Sequence, residues 1–192
     1  PIIIFFDEIE ALGGKREGMN QHFERTLVNQ FLMEMDKIDK NNENVLVIGA
    51  TNEPWSVDHA LKRSGRFTHK VFVEPPDSEA RKDIFKLYTK NSRMLSQLNY
   101  DKLTELTEGL SCTNIKSICE NAFDFAYEEA VEKKFEKKVN MKDFEKAISK
   151  ERSDVNEWFE QAKQYATNNL FRETYKELVK YLEKETCFKF SG

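Results

Sequence analysis

Two short apolar runs lie on either side of one long amphipathic stretch near the start of the sequence. The runs are Ile2–Phe6 and Val45–Ala50, and both are rich in the β-branched and aromatic residues that favour strands buried on both faces of a sheet. Between them, apolar residues recur every four positions from about Asn20 to Met35, which is typical of a helix. A strand, a helix and a second strand in this order predict two parallel strands.

The composition changes at Pro75-Pro76, which we take as a domain boundary. Before it, His69–Val73 is predicted to form a third short strand. After it we predict only helices, with Asp77 or Ser78 capping the first and Ser111 the third. The predicted helices span residues 78–92, 100–107, 112–135, 141–150, 154–167 and 169–185. The sequence therefore predicts an α/β part followed by an all-helical part.

The charge and cysteine content exclude several classes of function. The chain carries 30 Lys and Arg against 34 Asp and Glu, a formal net charge of −4, which argues against binding nucleic acid by bulk charge. The opening apolar run is too short for stable membrane insertion. The three cysteines lack the spacing of metal ligands, so we expect buried free thiols and a cytoplasmic location.

Two stretches in the helical part are predicted to have structural roles. The Lys/Glu-rich stretch from Glu128 to Lys138 is predicted to be a solvated helix face. The C-terminal tail carries many aromatic and apolar residues, which we expect to pack back on the rest of the protein or on a neighbour. They are Trp158, Phe159, Tyr165, Leu170, Phe171, Tyr175, Leu178 and Tyr181.

Two carboxylates follow the first apolar run, at the sheet edge where ligands bind in open parallel sheets. Asp7 and Glu8 come directly after Phe6. Hydrolysis of a nucleoside triphosphate needs one carboxylate to hold Mg²⁺, usually through water, and a base to orient the attacking water. We assign the metal to Asp7 and the base to Glu8. Acidic residues that simply close a strand are the alternative.

An amide and two guanidinium groups follow the second run. Asn52 would hydrogen-bond the γ-phosphate and the attacking water, although capping a turn before Pro54 is an equally good interpretation. Arg63 and Arg66 flank a glycine, and arginine stabilises developing phosphoryl charge well because its donors form a planar fork. Taken alone, the two arginines are better explained as surface ion-pairing residues.

Together these motifs closely resemble the classical AAA clade of the AAA+ superfamily over about residues 1–150. Asp7-Glu8 resemble its Walker B pair, and Asn52 its sensor 1. Arg63 and Arg66 resemble its arginine fingers. Residues 52–67 resemble its second region of homology, and the segment from Gly109 through Cys112 to Ala122 resembles the sensor 2 part of its lid.

The resemblance implies a fold, cofactors and partners. The fold is a partial parallel three-layer AAA+ sheet of the P-loop NTPase type over 1–76, a helical lid over 77–150 and a helical C-terminal extension over 151–192. The cofactors are ATP and Mg²⁺, with Asp7 at the metal and Asp7, Asn52, Gly109 and Cys112 at the nucleotide. The partners are further copies of the chain in a ring, usually a hexamer, together with protein substrates and their adaptors.

The resemblance also places residues at subunit contacts. Arg63 and Arg66 would act on ATP held by the neighbouring subunit, and Arg25 would lie near the subunit interface. Residues 13–20 would correspond to the second pore loop. Pro54-Trp55 and the stretch 139–147 are most similar to the second ring domain of segregases related to valosin-containing protein. The meiotic clade, which disassembles membrane-scission filaments or severs microtubules, is the second choice.

Two departures from the family pattern keep another class of function open. The 192 residues contain no Gly-x-x-x-x-Gly-Lys-Ser/Thr phosphate loop, so we expect them to be inactive alone. Cys112-Thr-Asn114 stands where the family usually has Gly-Ala-Asp, and a Cβ there would crowd the adenosine. The alternative is a degenerate AAA module that serves as a structural or adaptor element. The retained carboxylates, Asn52 and both arginines favour the ATPase.

Overall fold

The computed structural model of this protein describes residues 1–12, 21–41, 44–90 and 95–186. The chain divides into two compact units. Unit 1 comprises Pro1–Phe72 and Tyr165–Gly192, and unit 2 comprises Val73–Gln164. Unit 2 is therefore inserted, along the sequence, between the two parts of unit 1. The segment 13–20 that resembles the second pore loop lies outside the described residues, as does the side chain of Arg25.

Unit 1 contains the predicted pair of parallel strands. Strand β1 is Ile2–Phe6 and strand β2 is Val45–Gly49, and they pair in register from Ile2 with Val45 to Phe6 with Gly49. Helix α1, Gln21–Asn41, connects them and ends six residues beyond the predicted Met35. The observed order of strand, helix and parallel strand confirms the prediction. The helix supplies the crossover connection that a parallel pair requires.

The two strands are less buried than predicted. Paired residues of parallel strands point to the same side, so one face carries Ile3, Phe5, Leu46 and Ile48, which are 67%, 60%, 54% and 40% exposed. On the opposite face, the ring of Phe6 meets Phe31 of α1 edge-on, with 5.0 Å between centroids. The first face is largely exposed among the described residues, so the expectation of burial on both faces is wrong there.

The predicted third strand is also wrong for the part of the chain that the structure describes, because His69–Val73 forms no ladder. The backbone N–H of Phe72 donates instead to the carboxylate of Glu177, at 3.1 Å. The ring of Phe72 packs edge-on against Tyr181 at 5.3 Å, while Val71 and Val73 are exposed. The alternating pattern suits a strand, but a side chain takes the place of a strand partner.

Unit 2 is helical and has a well-packed core. Its helices are α2 (Ser78–Thr89), α3 (Tyr100–Leu106), α4 (Cys112–Lys133), α5 (Met141–Lys150) and most of α6 (Val155–Tyr165). Asp77 caps α2 and Ser111 caps α4, as predicted. Phe85 and Phe144 are fully buried, and their rings pack edge-on with 6.2 Å between centroids.

The C-terminal tail forms two helices rather than the single one predicted over 169–185. Helix α7 is Asn169–Thr174 and helix α8 is Lys176–Thr186. They are separated at Tyr175, whose backbone lies at φ −120° and ψ 50°, outside the helical region. Phe171, Leu178, Val179 and Leu182 are buried, so the tail does pack back on the protein.

The Lys/Glu-rich stretch is not simply a solvated face. The side chain of Lys137 is only 11% exposed, and it forms ion pairs with Glu129 of α4 and with Asp143 of α5, the latter at 2.5 Å. Hydrogen bonds from Lys133 and Lys137 lower the pKa of the Glu129 carboxyl from 4.5 to about 2. The prediction is therefore wrong for Lys137, which joins the ends of α4 and α5.

These ion pairs predict acid sensitivity. Because the folded pKa of Glu129 is depressed, its contribution to stability is complete above about pH 4.5 and is lost as the pH falls towards about 2. We expect Glu129→Gln to lower the melting temperature at pH 7 and to flatten its fall across that window. Thermal melts between pH 7 and pH 2 measure this. Glu132→Gln, at an exposed site in the same helix, is the control and should melt like the wild type at every pH.

The described cysteines and helices can be compared with the predictions about free thiols, metal binding and membrane insertion. Cys119 is buried, and burial raises the pKa of its thiol to about 12. Cys112 is exposed, contrary to expectation, and Cys187 lies outside the described residues. Among the described residues, no group of three or more His, Cys, Asp or Glu is arranged to hold a metal ion. None of the helices described is both long and apolar enough to cross a membrane.

Candidate active site

One residue, Ala50, ties the Asp7-Glu8 turn to the end of β2. Its N–H donates to the carbonyl of Phe6 at 2.8 Å, and its carbonyl accepts from the N–H of Ile9 at 3.0 Å. The first bond involves the residue before the carboxylate pair, and the second involves the residue after it. Since Asn52 follows Ala50 by two residues, the backbone brings the pair and the amide to the same edge of the sheet. Asp7, Glu8 and Asn52 are all exposed there.

The backbone at Glu8 has an unusual conformation. Its φ is 50°, in the left-handed region that non-glycine residues seldom occupy. Its N–H donates to Oδ1 of Asp7 at 3.0 Å, which satisfies a donor that the sharp turn takes out of the strand ladder. Strained backbone of this kind persists only where the surrounding structure holds it in place, and it is found most often at functional sites.

Close packing behind the turn leaves no room for a side chain at the end of β2. A Cβ on Gly49 would lie 2.8 Å from Cδ1 of Ile9 and 3.1 Å from Cε1 of Phe67. Ile9 follows Glu8 and Phe67 follows Arg66, so two of the predicted motifs meet over this glycine. Ile9, Val57 and Leu61 form the small buried core beneath them.

Arg66 is held within unit 1. Its Nε and Nη2 donate to the two carboxylate oxygens of Asp36 in α1, at 2.8 and 3.0 Å, and its Nη1 donates to the carbonyl of Ala60 at 2.8 Å. The Arg66 side chain is only 16% exposed. The hydrogen bonds to Asp36 raise the pKa of Arg66 above its ordinary value. This fork-to-fork geometry fixes the loop between residues 60 and 66 on α1.

Arg63 is placed differently. It follows the short 3-10 helix His59–Lys62, which Asp58 caps, and it is exposed. Within the described residues its guanidinium makes no hydrogen bond or ion pair. The structure therefore separates two arginines that look equivalent in the sequence: Arg66 anchors the loop, and Arg63 presents its charge to solvent.

The lid residues lie in unit 2. Gly109 has φ 74°, a conformation that favours glycine, and its carbonyl accepts from the Ser153 hydroxyl at 3.1 Å. Cys112 is in the first turn of α4. Asn114 forms a reciprocal capping box with Ser111, and its Nδ2 donates to Glu151 at 2.8 Å. An aspartate at position 114 would lack this donor and would repel the carboxylate of Glu151.

Two site features were missed by reasoning from the sequence. The partner of Arg66, Asp36, lies 30 residues away in α1, and no local pattern links them. The Asn114–Glu151 contact spans 37 residues, but the Ser111-x-x-Asn114 spacing was a usable signal for the capping box.

The structure thus shows a strained turn with two carboxylates, an amide after the next strand end and an exposed arginine, followed along the chain by a helical unit. The model of the ATPase family associated with various cellular activities (AAA) matches residues 1–75. Residues 1–75 therefore carry part of an AAA module, consistent with the classical AAA+ clade.

Similar proteins agree with this assignment. The chain is 40% identical over 141 residues to Protein SAV of Sulfolobus acidocaldarius, covering 73% of this chain and 18% of that protein. It is 36% identical over 166 residues to the cell division cycle protein 48 homolog of Archaeoglobus fulgidus, covering 81% and 22%. The chain therefore spans about a fifth of the length of these relatives.

A solved structure supports the fold. The crystal structure of the FIGL-1 AAA domain superposes with a TM-score of 0.71 at 24% identity, covering 85% of this chain and 56% of that chain. The likeness confirms the predicted fold class, an α/β AAA+ fold with a small parallel sheet and a helical C-terminal part.

Proposed function

We propose that the chain is part of an ATP-hydrolysing AAA+ module of a ring-forming machine that remodels or unfolds protein substrates. The observation that supports this best is the pair of hydrogen bonds at Ala50, which hold the Asp7-Glu8 turn against the strand end that leads to Asn52. A general base and a neutral positioning amide at one sheet edge are the groups that water attack on a phosphate needs.

The donor set fits Mg²⁺ and ATP. Magnesium in ATPase sites is held by one or two carboxylates plus the phosphates of the substrate, and Asp7 is an exposed carboxylate at the sheet edge. A cage of several protein ligands is not needed. When bound, Mg²⁺ neutralises charge on the phosphates. Glu8 accepts the proton of the attacking water, and Asn52 orients that water.

Arg63 is the residue that we propose to act on ATP held by a neighbouring subunit, because its guanidinium is exposed and makes no hydrogen bond or ion pair in the described part of the chain. The same role for Arg66 stays a prediction, and the hydrogen bonds of Arg66 to Asp36 and Ala60 would also help to position Arg63. Gly109 and Cys112, in the predicted lid over 77–150, are proposed to contact the nucleotide, as the family resemblance implies. A hexameric ring, adaptors and a cytoplasmic location belong to the same proposal.

The particular group within the family is also a proposal. The similarity to the protein 48 homolog of Archaeoglobus fulgidus agrees with the resemblance of Pro54-Trp55 and residues 139–147 to the segregases. We therefore favour a protein-unfolding segregase.

Glu8→Gln tests the proposed function. In the full-length protein we expect steady-state ATP turnover to fall by roughly a hundredfold to ten-thousandfold, because the amide cannot accept the proton. Binding of a fluorescent ATP analogue should be retained, because Glu8 is not assigned to the metal. Residues 1–192 alone should show no turnover.

The control is Glu10→Gln, two residues further on in the short 3-10 helix Ile9–Leu12, which should leave turnover within a few-fold of the wild type. A wild type that binds the analogue but shows no turnover, at concentrations where rings form, would favour the degenerate scaffold instead.

A further inference from the structure

A layer of aromatic rings joins the C-terminal tail to the segment that carries Asn52 and Arg63. The ring of Tyr165 stacks on Trp55, with centroids 4.9 Å apart and planes inclined by 3°. Phe171 lies 6.3 Å from Tyr165 and 4.7 Å from Tyr175, measured between centroids. All four residues belong to unit 1, so the layer is internal to that unit.

Tyr175 links this layer to the backbone of Pro54. Its hydroxyl donates to the carbonyl of Pro54 at 2.7 Å. Burial raises the pKa of Tyr175 to about 12, so the hydroxyl keeps the proton that it donates at physiological pH. The contact lies at the break between α7 and α8, where the backbone of Tyr175 leaves the helical conformation.

A second donor reaches the same carbonyl from the other end of the segment. Nζ of Lys62 donates to Pro54 at 3.2 Å and lies 5.6 Å from the centroid of the Tyr175 ring. Burial lowers the pKa of Lys62, and Asp58 opposes that change. The carbonyl of Lys62 in turn accepts from Lys70 at 3.1 Å. Pro54, Lys62 and Tyr175 therefore form one contact, which we call the Pro54 clamp.

Along the sequence, the Pro54 clamp lies between two of the predicted catalytic groups, Asn52 and Arg63. Pro54 is two residues after Asn52, and Lys62 is the residue before Arg63. Fixing Pro54 to Lys62 sets the spacing between the amide and the guanidinium along the loop. The contacts of Pro54 and Lys62 with Tyr175 connect the distance between Asn52 and Arg63 to the C-terminal helices. These helices are far from Asn52 and Arg63 in the sequence.

We propose that Tyr175 is a positioning residue for ATP hydrolysis, through which the C-terminal helices hold Asn52 and Arg63 in their working positions. This rests on the proposed function. Tyr175 acts through Pro54 rather than on the nucleotide, so it should affect the rate of the chemical step and not the affinity for ATP.

Tyr175→Phe tests the proposal in the full-length protein, because it removes only the hydroxyl. We expect kcat to fall roughly ten- to a hundredfold, the range for misplaced catalytic groups, with KM for ATP unchanged. Tyr165→Phe is the matched control: it keeps the stack on Trp55, and the Tyr165 hydroxyl makes no hydrogen bond within the described residues. Its kcat should equal that of the wild type.

Amide hydrogen exchange gives a readout that does not depend on turnover. In the Tyr175→Phe variant, exchange should quicken in residues 51–56 and stay unchanged in α4, with a melting temperature close to that of the wild type. If the variant does not fold, Lys62→Met removes the other donor to Pro54 and should produce the same pattern.

The outcomes separate the two proposals. Equal kcat in the two tyrosine variants, in an active protein, overturns the role of Tyr175 and leaves the proposed function intact. An inactive wild type overturns the proposed function, and the exchange rates then decide whether the clamp orders the loop. Unchanged exchange in residues 51–56 overturns the clamp in either case.

Discussion

Arg63→Ala in the full-length protein is expected to lower ATP turnover by about a thousandfold or more, the range for a lost arginine finger, without changing the melting temperature. The guanidinium is exposed and makes no hydrogen bond or ion pair in the part of the chain that the structure describes, so its removal breaks neither kind of bond there. Steady-state turnover and thermal melting measure the two quantities side by side.

Mixing subunits tests whether Arg63 acts on a neighbour. Glu8→Gln subunits keep an intact Arg63, and Arg63→Ala subunits keep an intact Glu8. If a working site combines Glu8 of one subunit with Arg63 of the next, mixed rings should regain part of the turnover that neither variant shows alone. Mixtures that stay inactive, in rings shown to exchange subunits, would contradict action on a neighbour.

Arg66→Ala is the matched contrast to Arg63→Ala. It removes the three hydrogen bonds from the guanidinium to Asp36 and to the carbonyl of Ala60. It should destabilise unit 1 by about 1 kcal/mol, a small value because Asp36 is half-exposed. The two variants should therefore differ: Arg63→Ala should lower ATP turnover alone, and Arg66→Ala should also lower the stability of unit 1. A melting temperature unchanged by Arg66→Ala would argue against the anchor.

Phe85→Ala is expected to destabilise unit 2 by about 3–5 kcal/mol, the cost of emptying the space of a buried phenylalanine. Phe85 is fully buried, and the cavity would open beside Phe144 at the centre of the core. Hydrogen exchange of the slowest amides in α4 reports the free energy of opening of this unit, since α4 packs against both α2 and α5.

Leu87→Ala, on the same helix, is the control for that experiment. Leu87 is 66% exposed, so its loss should change the free energy of opening by less than about 0.5 kcal/mol. A loss of less than about 1 kcal/mol for Phe85→Ala would mean that the core relaxes into the cavity, contrary to its close packing.

The local parts of the fold were predictable from the sequence, because they depend on residues close together along the chain. The apolar runs at 2–6 and 45–50, the helix between them and the caps at Asp77 and Ser111 are of this kind. The roles of Asp7, Glu8, Asn52, Arg63, Arg66, Gly109 and Cys112 remain predictions. The structure adds that Ala50 brings the first three to one edge.

The parts that were missed depend on distant partners. The segment 69–73 has the alternation of a strand, but whether it forms one depends on which element lies beside it. In the sequence, Lys137 looks like a solvated lysine, and only the fold shows its ion pair with Asp143. Nothing near Arg66 in the sequence points to Asp36, and nothing near Tyr175 points to Pro54.

The order of the two units along the chain has a consequence for synthesis on the ribosome. Tyr175 is made 121 residues after Pro54, a delay of roughly 6 to 24 seconds at ordinary translation rates of about 5–20 residues per second. Unit 2 contains all its core residues within one stretch and can fold during that interval. Trp55 and Phe72 must wait for their aromatic partners, so the newly made chain passes through a period when chaperones have apolar surface to bind.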